Sequence, residues 1–131
     1  MMEGPLNESR SASLLEENLK KALTEFLILT LLSEKENYIG ALTCEIEKRS
    51  LDTIHIEFPY ASISRIYKAG FIVESEKRIA PDGRLRQYYK ITQKGIAYQK
   101  ELYEIYLRLI GGVSNLLQGE NCNESGDTEV P

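Results

Sequence analysis

The chain has 131 residues, 42% apolar and 27% charged, with a formal net charge of −4. That length holds one domain with a real core, no run of about 18 apolar residues can span a bilayer, and the polar opening MMEGPLNESRSAS is no secretory signal, which predicts a cytoplasmic protein. Two distant cysteines, Cys44 and Cys122, and one histidine, His55, argue against a disulfide framework, a metal site or a catalytic triad, and no cofactor is expected.

Residues 1–12 are polar with little to bury and are expected to be disordered. Ser13 with Glu16 three residues on makes a capping box, which predicts a first helix from 13 to about 33. Its stripe holds Leu15, Leu19, Leu23, Phe26 or Leu27, and Thr30 or Leu31, while the segment FLILTLL is apolar nearly all round. A helix without a polar face is covered on two sides, and in so small a chain the second cover is expected from another subunit. After a polar loop at 34–37, a second helix is predicted over 39–50, with Leu42 and Ile46 inward and Cys44 a small core residue. Residues 51–58 read as a connection with some strand character, His55 lying in a loop.

Pro59 suits the first position of a third helix and Gly70 its end. Ile63, Ile66 and Tyr67 make the expected buried face, and Ala61, Ser64, Arg65 and Lys68 the opposite one. Two strand-like runs follow, 71–78 and 85–91, joined by Pro81, Asp82 and Gly83, where a tight turn needs a residue tolerant of positive φ. Alternation sends Arg84, Arg86, Tyr88 and Lys90 to one face and Leu85, Gln87, Tyr89 and Ile91 to the other, so the hairpin should pack its apolar back on the core and offer a cationic front. Tyr89 is expected inward beneath the hairpin.

Thr92 is the predicted cap of a last helix in which Leu102, Ile105 or Tyr106, Leu109, Val113 and Leu116 recur at helical spacing. Gly111 and Gly112 cost about 2 kcal/mol together against alanine in a helix interior, so they end it, bend it or let another helix approach. Residues 119–131 carry Glu120, Glu124, Asp127 and Glu129 without a base and read as a disordered acidic tail.

The acidic total conceals a basic centre: residues 57–95 hold eight bases against four acids, a balance of +4, while the excess acid lies at the ends. Three helices, a basic hairpin and a final helix make the order of a winged helix-turn-helix, in which the third helix enters the major groove and the hairpin, or wing, reaches the neighbouring backbone or minor groove. The expected fold class is therefore mainly α with a small β-hairpin. The expected organisation is a winged-helix DNA-binding domain at 13–91 and a dimerisation helix at 92–118.

Two stretches carry a family resemblance. GRLRQYYKIT at 83–92 followed by Gly95, and YASISRIYKAGFI at 60–72, resemble the wing and recognition helix of the PadR transcriptional regulators. The pattern departs where Ala61 follows Tyr60 and the proline, Pro59, precedes it. The chain also has no Trp, so the stacking of flat drugs between tryptophans is not implied. The resemblance implies a homodimer built by the first and last helices, through Leu19, Leu23, Phe26 and Leu27 with Leu102, Ile105, Tyr106, Leu109, Val113 and Leu116. It also implies repression from double-stranded DNA, relieved by a small-molecule effector or a stress signal.

The DNA contacts expected are Tyr60, Lys68, Arg84, Arg86, Tyr88 and Lys90 on phosphates, with Ser64 and Arg65 at base edges. The alternative is a winged helix that binds protein without DNA, which fold alone does not exclude. An enzyme lacks any starting point, since there is no nucleophile, histidine and acid set and no phosphate-binding glycine loop.

Overall fold

The computed structural model describes residues 4–119, so the expectations for most of the acidic tail and for Cys122 lie outside the described residues. The chain divides into two compact units after Gln99, and the start of the last helix lies in the first of them. Helix α1 (Gly4–Glu34) begins ahead of the Ser13 and Glu16 pair, which lies inside it. Nothing between breaks a helix, because Pro5 falls in the first turn, where its missing N–H is not needed.

The core gathers Ile28, Leu29, Leu31 and Leu32 of α1 with Leu42 and Ile46 of α2 (Ile39–Arg49), Ile63 and Ile66 of α3 (Tyr60–Lys68), and Ile72. Burying each such side chain contributes about 1.5–3 kcal/mol before entropy is counted. Most of the all-round apolar segment of α1 is thus covered by α2, α3 and the sheet of its own chain, while Phe26, Leu27 and Thr30 stay half-buried. Cys44 is exposed instead of packed in the core, since it falls between Leu42 and Ile46 on the outer side of α2.

Residues 50–59 form no strand. Leu51 (φ 54°) and Asp52 (φ 62°) are left-handed, held by bonds from Leu51 N–H to the Lys48 carbonyl (3.1 Å) and Asp52 N–H to the Glu47 carbonyl (2.8 Å). Pro59 is the N-cap of α3 rather than its first residue, and its carbonyl accepts the Ile63 N–H at 3.0 Å. At the other end Gly70 N–H reaches the Tyr67 carbonyl (3.0 Å) and Phe71 N–H the Ile66 carbonyl (2.9 Å). This Schellman closure needs the left-handed φ of +85° that Gly70 supplies.

The sheet has three strands, not two. A two-residue β1 (Asn37–Tyr38) joins β2 (Ile72–Ile79) and β3 (Leu85–Ile91) in the order β1-β3-β2, Tyr38 opposite Tyr88. Between β2 and β3 the pairs run from Glu74 with Tyr89 to Lys77 with Gln87, so β2 carries one extra residue in a bulge. The bulge moves Arg78 onto the face of its partner Arg86 and of Tyr88; unbroken alternation would have sent it to the other face.

Helix α4 (Gln93–Leu117) starts on Thr92, whose hydroxyl accepts the Gly95 N–H at 3.0 Å. It runs on through Gly111 and Gly112 without ending there.

Candidate nucleic-acid interface

Helix α3 turns about 100° per residue, which places Tyr60, Ala61, Ser64, Tyr67 and Lys68 along one exposed arc. The buried arc holds Ile63 and Ile66 with half-buried Ser62 beside them, and Tyr67 falls just outside its Ile63 edge. Tyr67 is therefore 45% exposed, against the expectation that it is buried, and Tyr60 is 67% exposed. Tyr67 was missed because apolar spacing alone does not tell a core tyrosine from one at the arc's edge.

Arg65 lies at the opposite edge of that arc and is already engaged. Its Nε and one terminal nitrogen donate to both carboxylate oxygens of Glu25 on α1, and the same terminal nitrogen reaches the Tyr98 hydroxyl at 3.3 Å. The guanidinium expected at base edges is thus bonded within its own chain, and the Glu25 carboxylate raises its affinity for the proton still further.

The wing ends in a turn where Gly83 N–H donates to the Ala80 carbonyl (2.8 Å) and Ala80 N–H to the Arg84 carbonyl (2.9 Å). Asp82 organises the tip: Oδ1 accepts the Arg84 N–H at 3.0 Å, and Oδ2 accepts from Arg86 at 2.5 Å and 3.2 Å. The Arg86 bonds, then the Arg84 N–H, hold the Asp82 carboxyl below its usual range. Arg84 and Lys90 are exposed, and neither side chain is in an ion pair among the described residues.

The two faces of the hairpin differ from simple alternation. Tyr88 is only 8% exposed, because Tyr38 of β1 meets it edge-on at 5.4 Å and Arg78 covers its ring. It braces the wing instead of lying on an open cationic front. At the tip the apolar back is bare: Ile79 and Leu85 face each other across the strands and both are exposed, since no core element extends that far. Tyr89 is half-buried, and desolvation pushes its hydroxyl up.

A cleft of about 260 Å³ separates the start of α3 from the wing. Tyr60, Leu85, Arg86, Gln87 and Tyr89 line it together with Tyr38, Ile39 and Gly40 at the start of α2. It brings Tyr60 and Arg86 together from distant parts of the sequence. A larger cleft of about 560 Å³ lies among the end of α1, β1 and the wing. Two of its cations are paired internally, Arg49 with Glu34 and Glu45, and Arg78 with Glu36 and Glu76.

The chain is similar to the solved structure of a PadR-like transcriptional regulator from Bacillus cereus strain ATCC 14579, at 27% identity over 79% of this chain and 99% of that one, with a TM-score of 0.65. It is similar also to a transcriptional regulator from Clostridium thermocellum, at 26% identity over 75% of this chain and 92% of that one, with a TM-score of 0.62. The chain has the PadR-like winged-helix fold. A PadR family transcriptional regulator from Eggerthella lenta DSM 2243 shares the fold at 22% identity, over 88% of this chain and 99% of that one, with a TM-score of 0.70. No protein-family model and no curated protein matches the chain.

Within this PadR-like fold the positions expected to form a dimer divide by exposure. Leu19 on α1 and Leu109, Val113 and Leu116 on α4 are more than half exposed. Leu23, Phe26, Leu27, Leu102, Ile105 and Tyr106 are half-buried. Leu14 and Leu15, beside Leu19, extend the bare apolar stretch of α1. No helix among the described residues is long and apolar enough to cross a membrane.

Proposed function

We propose that this chain is a DNA-binding transcriptional regulator that reads a duplex with α3 and steadies it with the wing. The observation that carries the reading is the exposed arc of Tyr60, Ser64, Tyr67 and Lys68 on α3, whose Tyr60 lines one cleft with Arg86 of the wing. Tyrosine hydroxyls, lysine and arginine suit phosphate oxygens, and Ser64 at the centre of the arc is placed for base edges. The solved structures it resembles include transcriptional regulators of the PadR type.

The active form in this reading is a homodimer that presents two reading helices to two half-sites. Exposed leucines at 14, 15 and 19 on α1 and the Leu109, Val113 and Leu116 stripe on α4 support it, because so much bare aliphatic surface on two helices favours a partner. The reading includes repression in the cytoplasm, relieved by a small molecule.

A gel-shift series on the DNA immediately upstream of its own gene, repeated with candidate effectors, tests this. A salt-sensitive specific shift that an effector reverses is expected. Equal and weak retention of every duplex at low salt overturns it.

A further inference from the structure

The geometry points to Arg65 as a positioning residue, a strut that sets the pitch of the reading helix against α1 and α4 and does not itself touch DNA. The inference rests on the DNA-reading proposal for what α3 does, but its physical basis is independent of it. Arg65 offers its planar fork to both oxygens of Glu25, the two-bond geometry that fixes orientation as well as distance. Glu25 is mostly covered, its side chain 20% exposed. It stands on the best-packed stretch of α1, between buried Thr24 and fully buried Ile28. The carboxylate is therefore an anchor and not a loose surface charge.

The third member ties in the start of the last helix. The Tyr98 hydroxyl accepts from Arg65 at 3.3 Å, and its ring stacks on Phe71 at 4.1 Å, with planes 9° apart. Phe71 in turn closes the C-terminus of α3 through its N–H. Helix α3 is thus held at its end by Phe71 and at its flank by Arg65, while its start at Pro59 follows an irregular connection. With Ile63 packed in the core, the flank bond adds a directional restraint against rocking about the closed end.

This assignment makes an opposite-sign forecast for Glu25. By charge alone, removing an anion near a basic surface strengthens binding to a polyanion. If Arg65 is a strut, Glu25→Gln weakens binding instead, about as much as Arg65→Gln.

The test uses the full chain, a fluorescein-labelled duplex selected by the wild type from a random pool, and amide hydrogen exchange without DNA. Each single variant is expected to lower affinity about tenfold, the loss anticipated for one charge-assisted bond. The double variant loses no more, the salt slope is unchanged, and preference weakens evenly at all base pairs. Exchange of the amides at 63–69 rises equally in both. Arg65→Lys, which keeps the charge without the fork, behaves like Arg65→Gln, and the swap Glu25→Arg with Arg65→Glu restores protection in part.

If Glu25→Gln keeps or raises affinity while Arg65→Gln loses preference at one base pair and lowers the salt slope, Arg65 is a base or phosphate contact and the strut is wrong. Unmoved exchange in both singles also overturns it. If the wild type selects no duplex while exchange rises as expected, the strut stands and the DNA reading fails.

Discussion

Arg78 lies over the ring of Tyr88, its guanidinium carbon 3.9 Å from the ring centroid. The pairing exists only because the β2 bulge puts Arg78 on that face. With Tyr38 packed against it from β1 as well, the side chain is only 8% exposed.

Tyr88 is accordingly a stability residue. Tyr88→Ala should cost about 3–5 kcal/mol, the range for removing a buried aromatic, read as a fall in denaturant midpoint with little change in m-value. A loss of DNA affinity at unchanged stability would return Tyr88 to the contact set.

At the wing tip, Asp82 neutralises Arg86 while Arg84 stays open. Asp82→Asn keeps the Oδ1 acceptor that the turn uses and removes the charge, so DNA affinity should rise several-fold at low salt, measured by fluorescence anisotropy. Arg84→Ala should lower affinity for all duplexes and reduce the salt slope by about one unit. Unchanged values for Arg84→Ala would remove the wing from the interface.

His55 faces two acceptors, the Glu47 carboxylate at its Nδ1 (2.9 Å) and the Asp52 carbonyl at its Nε2 (3.0 Å). Neutral imidazole has one N–H and can satisfy one of them; imidazolium satisfies both. The Glu47 bond chiefly, then the Asp52 carbonyl, therefore raises its titration point above the ordinary histidine value. Because the folded value is the higher one, the stabilisation is fully present below the unfolded value and fades as pH rises through the folded value. Proton NMR should show His55 titrating above a free-histidine reference, and Glu47→Gln should bring it down.

Gly95 and Gly111 should respond to alanine with opposite signs. A Cβ on Gly95 would sit 2.1 Å from the Phe71 carbonyl oxygen and 2.7 Å from Ile91 Cγ1, so Gly95→Ala costs about 3 kcal/mol or more. A Cβ on Gly111 meets nothing within 4 Å, so Gly111→Ala gains up to about 1 kcal/mol of helix propensity. Thermal melts at fixed protein concentration compare the two.

If the α4 stripe forms the dimer, Leu116→Glu should shift the chain to monomer by light scattering and weaken operator binding steeply with dilution. A wild type that is already monomeric at micromolar concentration would remove the dimer from the proposal.

The element order was legible because its signals are local: Gly70 after a short amphipathic run, Pro81 to Gly83 between alternating strands, Thr92 before a long periodic stretch. What escaped were features set by distant partners. Strand β1 is two residues long, too short for any pattern, and shows itself only when Tyr38 meets Tyr88. The partner of Arg65 stands 40 residues earlier, and no spacing rule joins Arg65 to Glu25. The bulge in β2 leaves no mark in the sequence either, since one extra residue inverts the faces of everything after it.

The peptide that carries the Phe71 carbonyl is where the reading helix becomes the wing, and it is welded in place. Its oxygen takes the Thr92 N–H at 3.0 Å and the Thr92 hydroxyl at 3.1 Å, Gly95 lies flat against it, and Lys94 caps the neighbouring Ala69 carbonyl at 2.8 Å. Reading helix and wing therefore have no separate hinge between them. Any signal that loosens this protein's grip has to tilt both at once, like a lever cut from a single piece.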